Sequence, residues 1–318
     1  MLKKENVTVG EDGKIRVSGL GKYSLADTLE CGQCFRHELV SRNGEVVEYI
    51  VPIGNSLLTV RQEREGELVF AGISTEEFYS AVIPYFTLDR DYAAINEEIK
   101  KRTDSEWLKR AADSAAGIAI LKQDPWETLF SFIVSQNNNI PRIRKILRAI
   151  CAEYGNNINL KKGDNTRCPL DRQKGRLSEE KCKECGVCYT FPTPTDIIRN
   201  PEGLLPSRPG FRYKYLLDAA KAVADGELNL DEIVEAKSYA YTVERLKTVK
   251  GVGDKVASCV ALFGFSNLEA FPIDVWMRRA IDKYFSGSLD PISLGEYAGV
   301  AQQYIFHYIR NVEAERSN

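Results

Sequence analysis

The spacing of apolar residues changes once along the chain, near Ser74, and this change limits the fold more than any other feature. The first seventy residues read as short strands with turn signals, of which Asn43-Gly44 is the clearest. Ser74 and Glu77 then match a capping box, and helical spacing dominates the rest of the chain. Because strands precede helices instead of alternating with them, the order predicts an α+β protein. We expect an N-terminal antiparallel β-sheet packed on a mostly α-helical body.

Length and charge narrow the class of protein. The chain has 318 residues and a net charge of −2, which predicts about two domains and gives no overall positive field. The longest nearly apolar stretch, Val256 to Phe265, is shorter than the ~20 residues of a membrane span. The first residues contain no secretory pattern. We therefore expect an intracellular protein without a membrane partner, cytoplasmic and in the nucleoid if the source is bacterial. With only His37 and His307 present, acid–base chemistry falls to other side chains.

The segment from Leu246 to Ala257 has the pattern of two helices joined by a short glycine turn. Gly251 and Gly253 permit the positive φ angles of a tight turn, and Asp254 is placed to cap the second helix. Turn amides and a helix N-terminus together form a sequence-neutral phosphate site. Taken alone, the pattern fits a plain helix–helix turn equally well.

Lys255 lies in the first turn of this second helix, where the helix dipole disfavours a protonated amine. A neutral amine is a nucleophile towards an electrophilic sugar carbon. Cys259, four residues on, shares a helix face with Lys255. Asp274 follows Pro272 and is placed to cap a further helix, from which its carboxylate would oppose positive charge in a transition state. A capping role alone is the simpler reading of Asp274.

The motif Val249 to Ala257, followed by Pro272-Ile273-Asp274, resembles the helix-hairpin-helix, Gly/Pro-Asp DNA glycosylases. Within them the chain is most similar to the 8-oxoguanine DNA glycosylase/AP lyases. Three further segments carry that similarity: Gly32 to Arg36, Gln123 to Ile140 and Tyr297 to Gln302. The resemblance implies a base excision repair enzyme that flips 8-oxoguanine, opposite cytosine, out of duplex DNA. It also implies a helix-hairpin-helix glycosylase body beneath the sheet.

The resemblance also implies roles for single residues. Lys255 would attack C1′ of the flipped nucleotide, form a Schiff base and permit β-elimination, and Asp274 would stabilise charge on the sugar. In the base pocket, the Gly32 carbonyl would accept the N7 hydrogen that guanine lacks. Cys259 and Phe306 would enclose the base. The remaining pocket residue, Gln302, would read the pairing edge. Without the resemblance, Phe306 reads as core packing and Gln302 as part of a solvated face.

Further residues are implied as DNA contacts. Asn137 would fill the space left by the flipped base, and Arg142 and Arg212 would hold the unpaired cytosine. Phe211 would wedge into the base stack. Basic residues on these helices are also typical of ordinary solvated faces, so the pattern alone leaves both readings open.

Four of the eight cysteines lie in a polar insert spanning residues 156–190. Cys168, Cys182, Cys185 and Cys188 have a spacing that suggests a structural zinc site, an iron–sulfur cluster being the second choice and thiols without a metal the third. No cofactor is expected for catalysis. Trp276 stands where relatives often have a histidine, so a proton relay is not expected at that position, while the ring can still pack beside the site.

We therefore expect a monomeric enzyme acting on double-stranded DNA that contains 8-oxoguanine. Residues 1–120 would form the sheet domain and residues 121–318 the helix-hairpin-helix domain with its insert. A glycosylase of the same superfamily for another damaged purine, a non-catalytic helix-hairpin-helix DNA-binding protein, and a structural or redox protein built around the cysteines are the alternatives.

Overall fold

A computed structural model of the chain describes residues 3–158 and 186–317. The N-terminal part contains a six-stranded antiparallel sheet in the order β1-β2-β6-β5-β4-β3. Its strands are β1 (Val7–Val9), β2 (Ile15–Val17), β3 (Glu38–Asn43), β4 (Val46–Ile53), β5 (Ser56–Arg64) and β6 (Glu67–Ala71). The predicted hairpin at Asn43-Gly44 is confirmed, because Asn43 pairs with Val46 across the turn.

One short helix, α1 (Leu25–Glu30), lies between β2 and β3, where the sequence predicted only strands. Leu25 and Leu29 are fully buried, and Ser24 accepts a hydrogen bond from the Asp27 amide at the helix start. The side chain of Gln62 on β5 accepts from the Leu25 amide at 2.8 Å, which ties this helix to the sheet. With six residues, α1 is too short for its period to be read.

The predicted change to helices at Ser74 is confirmed. Ser74 Oγ accepts from the Glu77 amide at 3.1 Å, and the Glu77 carboxylate accepts from the Ser74 amide at 2.8 Å. A π-helical turn, Phe78–Val82, joins the first two of the helices that follow. They are α2 (Thr75–Glu77), α3 (Ile83–Phe86), α4 (Tyr92–Lys101), α5 (Glu106–Ser114), α6 (Pro125–Ser135), α7 (Ile140–Tyr154), α8 (Pro194–Arg199), α9 (Arg212–Ala224), α10 (Leu230–Ala236), α11 (Tyr239–Lys247), α12 (Asp254–Gly264), α13 (Val275–Tyr284) and α14 (Ala298–Ser317). Short 3-10 helices cover Lys4–Asn6, Pro201–Ser207 and Pro291–Tyr297.

Two apolar cores correspond to the two parts of the α+β fold. The sheet core encloses Tyr49 and Phe70 and extends to Leu121. The helical core is larger, and α4 and α5 contribute to it through Ile99 and Leu108. Both helices precede the domain boundary predicted at residue 120, yet they pack with the helical body. The boundary itself stays a prediction. Among the described helices, none combines the length and the apolarity that a membrane crossing requires.

Candidate active site

The segment around Gly251 forms the predicted helix–turn–helix, with α11 ending at Lys247 and α12 beginning at Asp254. Gly251 has a φ of +89°, and a Cβ on it would lie 2.4 Å from Cγ of the Tyr215 ring. The residue therefore meets two requirements that only glycine satisfies, a left-handed backbone and contact with an aromatic face.

Two expectations for the same turn were wrong. Gly253 has a φ of −96° in extended backbone, with nothing within 4 Å of a built Cβ. Asp254 is the first helical residue and not the N-cap, and its carboxylate pairs with Lys247 Nζ at 2.5 Å. Gly253 is itself the N-cap and supplies no side-chain cap. The first-turn amides of α12 therefore lack a side-chain acceptor and suit a phosphate oxygen.

Lys255 is half-buried in the first turn of α12. Its Nζ lies 5.2 Å from the centroid of the Phe132 ring, which belongs to α6. Burial raises the pKa of the Cys259 thiol, while the charge of Lys255 and a hydrogen bond from it oppose that rise. The negative charge of the Asp274 carboxylate raises the pKa of the Cys259 thiol further. The amine, the thiol and the carboxylate are thus close enough to influence one another.

Asp274 is the N-cap of α13, as the sequence predicts. Its Oδ1 accepts from the Met277 amide at 2.8 Å, which holds the carboxylate at the start of the helix. Asp274 and Lys255 line one cleft of about 1300 Å³. One carboxylate oxygen thus has a fixed structural partner, and the group lies in the same open space as the amine.

The rim of this cleft carries the residues expected to replace and to wedge apart bases. Asn137 is exposed with a φ of +47°, an uncommon conformation that asparagine tolerates better than most residues. Phe211 exposes 55% of its surface at the start of α9. Trp276 lines the cleft as well, and the Arg279 guanidinium lies 4.9 Å from the centre of its ring.

The two arginines expected at the unpaired cytosine differ in their environments. Arg142 is exposed on the first turn of α7. Arg212 is buried, and its guanidinium donates to the carbonyls of Gln136, Asn137 (2.9 Å) and Pro209 (3.1 Å). Burial, followed by the charge of Arg142, lowers the pKa of Arg212. Arg212 thus fixes the Asn137 loop from within, and its contact with cytosine stays a prediction.

The loop after α1 forms the other side of the site, and its backbone is held by buried amide side chains. Gly32 has a φ of +89°. The Gln33 Nε2 donates to the carbonyls of Thr28 and Ala119, each at 2.8 Å, and its Oε1 accepts from the Leu121 amide. The Gln123 Nε2 in turn donates to the Gln33 carbonyl at 2.7 Å. This network presents Gly32 on a rigid support.

Gly32 faces the last helix, and Phe132 connects the two sides of the site. A Cβ on Gly32 would lie 4.0 Å from Phe306 Cε1 on α14. Gln302, one turn earlier on α14, is buried. Phe35 packs edge-on against Phe132, the ring that also lies near the Lys255 amine. The structure thus brings Gly32 and Phe306 together, and Lys255, Cys259 and Asp274 together, while enclosure of a base by Cys259 and Phe306 stays a prediction.

Comparisons with known proteins agree with this geometry. Residues 17–129 match the family model described as 8-oxoguanine DNA glycosylase, N-terminal domain. The chain is 34% identical in sequence to MBOgg1, whose structure is known in complex with a low-affinity DNA ligand. The two structures superpose with a TM-score of 0.80, and the match covers 96% of this chain and 99% of that chain. The Clostridium acetobutylicum 8-oxoguanine glycosylase/lyase, bound to DNA with cytosine opposite 8-oxoguanine, is 31% identical and has a TM-score of 0.78. This match covers 96% of this chain and 98% of that chain. The N-glycosylase/DNA lyase of Saccharomyces cerevisiae is 27% identical over 303 residues, covering 89% of this chain and 74% of that protein.

The chain belongs to the 8-oxoguanine DNA glycosylase/lyase family. The similarity to solved structures extends over nearly the whole chain, so the α+β fold and the resemblance drawn from the motifs are both confirmed.

In this 8-oxoguanine glycosylase/lyase, the proposed metal site falls mostly outside the described residues. Cys168, Cys182 and Cys185 lie in the segment 159–185, which the structure does not describe. Cys188 is described, and it is buried with Val187 against Ile50 of β4. Within residues 3–158 and 186–317, no three His, Cys, Asp or Glu side chains are grouped to hold a metal ion. Because three of its four cysteines lie outside the described residues, the zinc or iron–sulfur site stays a prediction.

Sequence reasoning missed several residues that shape the site of this glycosylase. Gln33 and Gln123 form the network under Gly32, and Arg36 Nη1 pairs with Glu127 Oε2 at 2.7 Å to join the same loop to α6. Burial raises the pKa of the Glu127 carboxyl, and the charge of Arg36 opposes that rise. The partners that join these side chains to α6 and to the segment before it are 88–91 residues away in sequence, so local spacing gives no signal for them.

Proposed function

We propose that this chain removes 8-oxoguanine from duplex DNA opposite cytosine through a covalent intermediate on Lys255, and then cleaves the strand. The observation that carries the proposal is the placement of Lys255 by the hairpin in the same cleft as the capping carboxylate of Asp274. The family membership supports the substrate class.

The chemistry begins at Nζ of Lys255, whose lone pair forms a bond to C1′ as the bond from C1′ to the base breaks. The base leaves with that electron pair and takes up a proton. After the new ammonium loses a proton, the Nζ lone pair forms a second bond to C1′ and the bond between C1′ and O4′ breaks; its electron pair stays on O4′, which takes up a proton, and a protonated imine remains. Removal of a proton from C2′ then expels the 3′ phosphate, which is the β-elimination that nicks the strand.

Asp274 acts on charge and not as the nucleophile. Positive charge develops on the sugar as the base departs, and a nearby carboxylate stabilises it. Because Oδ1 already accepts from the Met277 amide, the carboxylate is oriented before DNA binds. Such orientation reduces the reorganisation required in the transition state.

Binding of the duplex divides between phosphate and base contacts. The uncapped N-terminus of α12 suits a phosphate, which gives affinity without sequence preference. The exposed Phe211 is placed to enter the base stack, and Asn137 to occupy the position of the extruded base. Gly32, on its rigid support, would select the oxidised base through its carbonyl, since guanine presents an acceptor at N7 and not a donor.

Single-turnover cleavage of a labelled duplex tests this function. A duplex with one 8-oxoguanine opposite cytosine should be nicked without alkali, while alkali treatment reveals additional base release that has not yet led to a nick. Parallel duplexes with an alkylated purine and with undamaged guanine should remain intact. Cleavage only at the alkylated purine, or binding without cleavage of any duplex, would contradict the proposal. Monomeric state and intracellular location stay predictions from the sequence.

A further inference from the structure

A second buried amide lies beside Gln302 on α14. The helix begins in close contact with α12, since a Cβ on Gly299 would lie 2.6 Å from Leu262 Cδ1. Gln302 and Gln303 follow one turn later and expose only 3% and 5% of their surfaces. Burying an amide side chain destabilises a protein unless its polar atoms form hydrogen bonds, so a pair of such residues needs a reason.

The two amides bond to each other but leave one atom unsatisfied. Gln303 Nε2 donates to Gln302 Oε1 at 2.8 Å. Gln303 Oε1 is buried and has no hydrogen-bond partner among the described residues. Neighbouring residues of a helix normally point in different directions, so these two side chains turn towards each other. In this arrangement Gln302 Oε1 is the acceptor, and the Gln303 amide carries a second acceptor, its own Oε1.

This arrangement matches the pairing edge of a guanine-type base. That edge carries the O6 acceptor, the N1–H donor and the exocyclic 2-amino group. Gln302 Oε1 has a second lone pair for N1–H, because a carbonyl oxygen accepts two bonds. Gln303 Oε1, beside it, is an acceptor for the 2-amino group. An adenine-type edge would instead bring its N1 acceptor against Gln302 Oε1, which is repulsive.

We propose that Gln303 determines specificity in the base pocket, by fixing the amide of Gln302 and by accepting the 2-amino group of the extruded purine. The inference rests on the proposed function, because it assigns a role within the same pocket. A base without that amine leaves Gln303 Oε1 buried and unpaired, and a site built for a hydrogen bond rejects such an analogue strongly.

The test compares 8-oxoguanine with 8-oxohypoxanthine, which lacks only the 2-amino group, each opposite cytosine in the same duplex. In single-turnover excision, the wild-type protein should prefer 8-oxoguanine by about 10-fold to 100-fold. Gln303→Leu should reduce this preference to within about threefold, mainly through slower excision of 8-oxoguanine. The ratio of two rates on one preparation does not depend on the folded fraction.

Gln62→Leu is the matched control. Gln62 is a buried amide of the sheet that bonds to Leu25 and Tyr23, so its loss should lower stability and leave the substrate ratio unchanged. Gln303→Met serves as a second variant if Gln303→Leu is insoluble. Gln303→Glu supplies a further readout, because only its protonated form donates to Gln302 Oε1. Its excision rate should fall as pH rises through the pKa of the new carboxyl, and the wild-type rate should show no such step.

Two failures are distinguishable. If the wild-type protein excises neither base, the proposed function is contradicted. If it excises 8-oxoguanine but shows no preference over 8-oxohypoxanthine, or if Gln303→Leu and Gln303→Met keep the wild-type ratio, the role of Gln303 is overturned while the function stands.

Discussion

The two glycines of the hairpin differ in backbone and surroundings, which allows one prediction to be worked out in detail. In Gly251→Ala, the φ of +89° places an L-residue in the left-handed region, at a cost of about 1–2 kcal/mol. The added methyl carbon would also lie 2.4 Å from Tyr215 Cγ, and relief of such overpacking costs about 1–3 kcal/mol. The free energy of unfolding should therefore fall by about 2–5 kcal/mol.

Gly253→Ala is the matched control two residues away. Its backbone is extended and its Cβ position is open, so the change should lower the free energy of unfolding by only about 0.5 kcal/mol, the difference between glycine and alanine at an N-cap. Gly253→Ala should nevertheless bind duplex DNA more weakly at a fixed salt concentration, because Gly253 lines the cleft at the proposed phosphate site and the added methyl group would stand there.

Denaturant unfolding followed by circular dichroism measures the free energy of unfolding of each variant. Fluorescence anisotropy with a labelled duplex measures its DNA affinity. Equal losses of stability in the two variants would refute the geometric argument for Gly251. Unchanged DNA affinity in Gly253→Ala would refute the phosphate site at the start of α12.

Three further predictions concern the carboxylate, the base loop and acid stability. Asp274→Asn should slow excision by about 100-fold while changing DNA affinity little, measured by single-turnover rates and anisotropy; equal losses in both would contradict a transition-state role. Gln33→Leu should weaken discrimination between 8-oxoguanine and guanine, because the support of Gly32 loses three hydrogen bonds; an unchanged ratio of excision rates would contradict this. Burial, with the charges of Arg144 and Arg148, lowers the pKa of His37 to about 3. As the pH falls below ~6.5, the unfolded state binds up to one proton more than the folded state, so from pH 6.5 to 5 the free energy of unfolding of the wild-type protein should fall by about 1.6 kcal/mol in total more than that of His37→Leu; parallel pH profiles in urea unfolding would contradict the assignment.

Local patterns in the sequence predicted the parts of the fold that depend on local physics. The hairpin at Asn43-Gly44 and the capping box of Ser74 depend on residues a few positions apart, and both are present. The six-residue helix α1 was missed because its stability comes from burial of Leu25 and Leu29 under the sheet and not from its own period.

The residues of the candidate site also fall into two groups, those with a local signal in the sequence and those without one. Lys255 and Asp274 were found because each occupies a recognisable position at the start of a helix. The prediction that Asp254 caps α12 was wrong, because glycine and aspartate both fit an N-cap and the N-cap here is Gly253. Gln33 and Gln303 were not found, because an isolated buried amide has no local signature.

The central claim is that Lys255 becomes covalently joined to the deoxyribose, and borohydride trapping tests it most directly. The protein would be incubated with a duplex carrying 8-oxoguanine opposite cytosine, reduced with borohydride and digested, and the modified peptide identified by mass spectrometry. We predict a stable cross-link that maps to Lys255 and is absent in Lys255→Gln, while Lys250→Gln retains it. A cross-link that persists in Lys255→Gln, or one that maps to another amine in the wild-type protein, would contradict this account.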